Sequence, residues 1–260
     1  MEYYFDAHTA HDQIIDWIRD WFKDKLGPAV LGVSGGKDST ICAALLAEAL
    51  GQERVIGVQM PNIKQSDISY SDKVFEVTKI KKLTINIGTA YTALSEEITK
   101  STGLSSEESI NLPLYKTNTP ARLRMTTLYG IAAIYGGYVV NSCNLSEDFV
   151  GYSTKGGDCA GDFSILNKLT VEEVIAIGDF MKLPEELVHK APSDGLCGKT
   201  DEDNLGFTYA ELGDTIRRGI KGDNFDKIMK MHKNPNTALK LFPMPTVEFK
   251  LPLKLTEYFH

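Results

Sequence analysis

Apolar residues near the start of the chain recur at helical spacing. Ile14, Ile15, Ile18, Trp21 and Phe22 share one face while Asp16, Asp20 and Asp24 share another, which predicts a helix over residues 9–25. Thr9 with Asp12 resembles its capping pair, and Gly27-Pro28 stops it. The pattern then becomes a short unbroken apolar run, Ala29-Val30-Leu31-Gly32-Val33, which fits a strand covered on both faces. A helix over 40–50 ends at Gly51, and strands over 55–60 and 83–87 enclose a helix over 67–79. A helix over 90–100 leads into a Ser-, Asn- and Pro-rich stretch reaching Pro120. Residues 121–135 then read as a long, mostly apolar helix and 138–141 as a fourth strand. Strands alternating with helices over short connections predict an α/β fold, a doubly wound parallel sheet with helices on both faces. After Asn141 come a glycine-rich stretch over 151–161, helices over 171–181 and 184–189, a loop over 191–206 and a C-terminal helical extension. We expect one domain over 1–260, with the core sheet at about 29–145 and substrate loops and C-terminal helices at about 146–260.

Composition narrows the function classes. Lys and Arg total 28 against 35 Asp and Glu, a formal charge of -7, so neither nucleic acid nor an anionic membrane is an expected partner. No apolar run approaches the roughly 18 residues that span a bilayer, and the N-terminus lacks a signal-peptide layout. The four cysteines, Cys42, Cys143, Cys159 and Cys197, are widely spaced and form no C-x-x-C pair, which indicates neither a zinc ribbon nor a disulfide framework. A cytoplasmic enzyme is the expectation. His8 and His11 read as surface residues, Trp17, Trp21 and Phe22 as a packing face, and Cys143 and Cys159 receive no role.

Chemistry concentrates where the first strand ends. In an open parallel sheet ligands bind beyond the carboxyl ends of the strands. Ser34-Gly35-Gly36-Lys37-Asp38-Ser39 occupies such an end. Its glycines let backbone approach an anion, and the helix that follows offers unpaired N–H groups and a positive dipole end. Ser34 and Ser39 add hydroxyls, Lys37 a charge, and Asp38 a carboxylate for a phosphate-bound Mg²⁺. A plain strand-to-helix turn with a serine cap is the competing reading. No G-x-G-x-x-G follows the strand, so a Rossmann dinucleotide site is not indicated. Gly198-Lys199-Thr200 imitates the end of a Walker A loop, but Ser193 stands where its first glycine belongs and no apolar strand precedes it.

Ser34 to Ser39 resembles the SGGxDS pyrophosphate loop of the ATP pyrophosphatase superfamily, whose members cleave ATP between the α- and β-phosphates and adenylate an oxygen of their substrate. The remainder of the chain resembles the NAD synthetase family. The carrying segments are Ala121-Arg122-Leu123-Arg124-Met125, then Asn141 through Tyr152, Thr154-Lys155-Gly156-Gly157-Asp158 with Asp162, Pro192-Ser193-Asp194-Gly195-Leu196, and Thr200 through Phe207. The resemblance implies ammonia-dependent conversion of deamido-NAD to NAD, with ATP and Mg²⁺, through an adenylated carboxylate. It implies that Gly32, Val33, Ser34, Gly35, Gly36, Lys37, Asp38 and Ser39 hold the ATP phosphates, joined by Gln65, Ser142 and Ser193. It further implies Asp38 and Glu147 as the catalytic metal-binding pair, and Arg122, Lys155, Asp162 and Lys240 as deamido-NAD contacts. A homodimer is implied as well.

Each charged position also has a plain reading: Arg122, Lys155 and Asp162 as surface charge, and Glu147 as a first-turn helix acid. The chain departs from many relatives at Val171, where an ATP-binding lysine is common, leaving open whether nearby Lys168 substitutes. Leu239-Lys240 replaces a His-Lys, and Gln59 replaces an arginine. Two other readings stand beside the synthetase: another SGGxDS adenylating enzyme acting on a tRNA or base, and a non-catalytic nucleotide sensor. Residues 62–66, 110–120 and 191–206 are expected to be the loops that close over the reactants.

Overall fold

The computed structural model describes residues 3–65, 67–104, 108, 112–190, 200–241, 243–251 and 253. Five parallel strands, β1 (Ala29–Gly32), β2 (Val55–Gln59), β3 (Lys81–Thr84), β4 (Tyr138–Asn141) and β5 (Phe163–Ser164), lie in the order β3-β2-β1-β4-β5. The chain therefore winds outward from β1 to β3, then crosses back to lay β4 on the other side of β1.

Alternation along β1 and β2 divides the packing. Ala29, Leu31 and Val55 face one layer, built on α1 (Ala7–Phe22), α2 (Lys37–Leu50) and α7 (Val171–Phe180). Val30, Ile56 and Val58 face the other, where α5 (Pro113–Tyr135) contributes Met125, Leu128 and Ile131. A third apolar cluster joins α6 (Leu145–Val150) to α10 (Tyr209–Arg218) and α11 (Phe225–His232) through Phe149, Leu212, Ile216 and Ile228. Gly57 is needed where α3 (Ile68–Thr78) meets β2, since a Cβ there would lie 2.6 Å from the Phe75 ring and 2.9 Å from Ile80. The sheet's third strand is its edge, largely exposed, with Lys81 and Lys82 discouraging further pairing.

Several expectations need correction. The N-cap of α1 is Asp6, whose carboxylate accepts the Thr9 N–H at 3.1 Å, so the helix starts earlier than Thr9. α2 begins at Lys37, which places Lys37, Asp38 and Ser39 inside its first turn. β3 begins at Lys81, and beyond its end Ile85 and Ile87 still donate to the Gln59 and Pro61 carbonyls. α5 opens at Pro113, since a proline at the first helical position costs no hydrogen bond, and continues through Pro120 in its interior, where one backbone donor is lost. Within the expected loop over 191–206, Asp201–Leu205 forms a short helix, α9, capped reciprocally by Thr200 and Asp203. β5 extends the sheet past residue 145, and Ser164 also bridges Thr246 of the tail. His11 is buried, its ring between Asp12 (2.9 Å) and Glu48 (3.1 Å). Trp17, Trp21 and Phe22 do pack together, around Phe163.

Candidate active site

The order of the strands puts the crevice between the carboxyl ends of β1 and β4, where the winding reverses. A cleft of about 650 Å³ opens there. Its floor is apolar, with Val58, Met60, Met125 and Leu128, and its walls are polar.

One wall is the loop after β1. Gly35 takes φ +84°, and a Cβ on it would meet the Ser71 backbone nitrogen at 2.5 Å, so only glycine fits. The loop holds itself open: Gly36 N–H donates to Ser34 Oγ at 3.2 Å, Ser39 Oγ donates to the Gly36 carbonyl at 3.1 Å, and the two serine hydroxyls lie 3.1 Å apart. The first-turn N–H groups of α2 have no carbonyl within the helix to bond and face the cleft end of the macrodipole. Lys37 is only 5% exposed, donates to Asp38 at 2.9 Å, and lies 5.4 Å from the centre of the Tyr209 ring. Burial disfavours its ammonium, yet the negative charges of Asp38 and Glu147 outweigh that and hold its pKa above the ordinary value.

The facing wall follows β4. Asn144 caps α6 by accepting the Glu147 N–H at 3.1 Å, while Glu147 Oε2 accepts the Asn144 N–H at 3.2 Å. Asn144 Nδ2 donates across the seam to Asp38 at 3.0 Å. Burial, reinforced by repulsion from Asp38, pushes the Glu147 carboxyl well above the usual carboxylate range. Glu147 is thus the first-turn helix acid of the plain reading and a wall of the cleft at once. Asp148 behind it is pushed up to about 7 by burial and then by Asp158.

The structure brings Gly32, Val33, Ser34, Gly36, Lys37, Asp38, Ser39, Gln65, Ser142, Glu147 and Lys240 to this one cleft. Gly35 shapes it from behind. Lys240 donates to the Gly151 carbonyl at 2.6 Å. Arg122, Lys155 and Asp162 do not line it. Arg122 donates to the Lys155 carbonyl at 3.0 Å on the exposed surface, and the Asp162 carboxylate accepts the Val139 N–H at 2.7 Å, committed to the sheet. Ser193 and Cys197 lie outside the described residues. Val171 is buried in the third cluster, and Lys168 pairs with Glu248 at 2.7 Å and is not among the residues lining the cleft. Gln59 is buried and engaged with Ser71, Asp72 and Thr84 beneath α3.

Sequence reasoning missed other lining residues: Arg124, Asp158, Asp67, Lys190 and Asp201. Arg124, Asp158 and Asp201 stand inside quoted motifs, which is their signal. Lys190 and Asp67 pair at 2.7 Å across the cleft mouth and carry no pattern of their own.

A model of the NAD synthase family matches residues 10–245. This chain belongs to the NAD synthase family. Within it, the chain is similar to a protein of Methanococcoides burtonii named NH(3)-dependent NAD(+) synthetase, 35% identical over 227 residues that cover 86% of this chain and 84% of that one. A protein of the same name from Thermoplasma acidophilum is 32% identical over 228 residues, 85% and 90% of the two chains. Among solved structures, NMN synthetase from Francisella tularensis matches at TM-score 0.81 and 29% identity, covering 93% of this chain and 99% of its own. NH3-dependent NAD synthetase from Campylobacter jejuni shares the fold at TM-score 0.70 and 22% identity, with the same coverage.

Proposed function

We propose that this protein amidates deamido-NAD with ammonia, at the expense of ATP, to give NAD, AMP and pyrophosphate. The observation that carries the reading is an anion-binding loop bearing Asp38 that faces Glu147 across one cleft, in a chain of this family. The chemistry asks for this division. A carboxylate is a poor acyl donor, so one of its oxygens first bonds to the α-phosphorus of ATP while the α–β bridging P–O bond breaks and pyrophosphate leaves. Ammonia then bonds to the carbonyl carbon, the C–O bond to AMP breaks, and the extra proton passes to solvent.

Residues 32–39 hold the phosphates through backbone N–H groups, the α2 dipole and Lys37. Gln65 and Ser142 are further ATP contacts, and Lys240 a contact to the acceptor. The carboxylates of Asp38 and Glu147 fit Mg²⁺: both are hard oxygen donors, and their mutual repulsion across the β1–β4 seam is relieved by a divalent cation that takes its other ligands from phosphate and water. When bound, Mg²⁺ neutralises the pyrophosphate leaving group. Buried polar atoms without a partner among the described residues, Asn62 Oδ1 and Ser153 Oγ, also border the cleft and suit a polar ligand.

Arg122, Lys155 and Asp162 remain proposed acceptor contacts only if the acceptor extends past the cleft rim. We therefore also propose a homodimer in which a second copy closes that rim. Sedimentation at micromolar concentration is expected to give twice the chain mass of 28.8 kDa, and a monomer would remove this part of the reading.

The likeness to an NMN synthetase favours a second reading, in which the acceptor is the deamidated mononucleotide and the bond chemistry is the same. One assay decides between the two. The protein is incubated with ATP, Mg²⁺, ammonium and either acceptor, and products are followed by mass spectrometry. NAD and AMP in equal amounts, faster with the dinucleotide, are the expected result. Faster amidation of the mononucleotide would install the second reading. AMP and pyrophosphate without an amide would point to another adenylated acceptor, and no AMP from folded protein to a nucleotide sensor.

A further inference from the structure

Five lysine and arginine side chains line the cleft among the described residues: Lys37, Lys64, Arg124, Lys190 and Lys240. Lys37 and Lys190 are neutralised by Asp38 and Asp67, Lys240 bonds the Gly151 carbonyl, and Lys64 is exposed to solvent. Arg124 differs from Lys37, Lys64 and Lys190 in being part-buried with no paired carboxylate among the described residues, and from Lys240, which likewise donates to one backbone carbonyl, in carrying a planar guanidinium. It is half-buried on α5, and its Nε donates to the Met60 carbonyl at the end of β2 at 3.1 Å. Among the described residues it forms no ion pair, and Asp158 acts on it only at longer range. An arginine carries five N–H donors in a rigid plane. Here one is spent on anchoring that plane, and no described residue bonds the two terminal amino groups beside the cleft.

A half-buried cation without a counter-ion is costly unless a ligand supplies the anion. The phosphate end of the cleft is already served by the loop, the α2 dipole and Lys37. Arg124 stands on the other packing layer, with Met125 next to it and Leu128 one helical turn on offering apolar surface to an aromatic ring. A planar guanidinium fork matches a planar carboxylate better than it matches a point charge.

We propose that Arg124 binds the carboxylate of the acceptor and holds it against the α-phosphate of ATP. This rests on the amidation reading above. Arg124 offsets the repulsion between two anions as the carboxylate oxygen bonds to phosphorus and pyrophosphate departs. Once the amide has formed, that charge is gone and the hold on the product weakens.

The test uses this loss of charge. Dissociation constants of deamido-NAD and of NAD are measured for the wild-type protein with Arg124→Leu, Arg124→Gln and Arg124→Lys, together with the ATP affinity and melting temperature of each. We expect Arg124→Leu and Arg124→Gln to weaken deamido-NAD by at least about tenfold while NAD and ATP change by less than about threefold. Arg124→Lys should recover part of the deamido-NAD affinity because it keeps charge without the fork. In turnover, Arg124→Leu should lower kcat/KM for the acceptor by about 10²-fold. Deamido-NAD and NAD weakening together would mean that Arg124 only shapes the wall, and unchanged deamido-NAD binding in a folded variant would also overturn the proposal. If the wild-type protein forms no AMP with deamido-NAD, the amidation reading itself fails first. If it prefers the mononucleotide, the same comparison is made with the acid and amide mononucleotides, and the same outcomes decide.

Discussion

Tyr209 carries a buried hydroxyl that no described residue bonds, next to the Lys37 ammonium and within reach of the charges on Glu147 and Asp201. A buried unsatisfied hydroxyl costs about 1–3 kcal/mol. Tyr209→Phe is therefore expected to leave the melting temperature of the ligand-free protein unchanged or to raise it by a few degrees. A fall of several degrees in a thermal melt would mean that the hydroxyl is bonded after all. The contrast with Ser34 to Ser39 explains what a sequence can say about single residues. That loop is local: its donors, its glycine with positive φ and its helix all lie within a few positions, so their joint purpose can be read in order. Asp67 and Lys190 acquire their meaning only from what folding sets across from them. Asp162 adds what its motif does not show, a carboxylate oxygen that accepts the Val139 N–H at the sheet.

Elements show a similar division. α1, α2 and the first two strands were legible because their periodicity is strong and their ends are marked by Asp, Gly and Pro. β5 is two residues long, too short for any periodicity, and it follows a glycine-rich stretch. α5 was read eight residues too late because Pro120 looks like a terminator, while Pro113 in its first turn was the true signal. The T-x-x-D box before α9 was present in the sequence and went unread. What joins α7 to α10 could not be read at all: Glu173 and Arg217 form a buried bidentate pair at 2.7 and 2.8 Å, with Tyr3 donating to the same carboxylate and Thr170 capped by it. Removing one partner strands the other charge in the interior. Arg217→Ala is expected to cost about 3–5 kcal/mol in urea unfolding, and the double replacement Arg217→Met with Glu173→Leu to recover part of it. A single replacement within 1 kcal/mol of wild type would show that water reaches the pair.

At the scale of the whole molecule, the site is a product of topology. Asp38 and Asn144 touch across the β1–β4 seam, although 106 positions separate them in the chain. The central strand of the sheet is one of the first to be made, and its second neighbour is one of the last. During synthesis at roughly 5–20 residues per second, β1 therefore waits about 5–20 s for β4, with one flank of its backbone unpaired. An unpaired flank on an apolar strand invites the wrong partner, including another nascent chain on the same message. The molecule that finally closes this seam must be shielded while it waits, so its yield in a cell should depend on translation speed and on chaperones that hold unfinished chains.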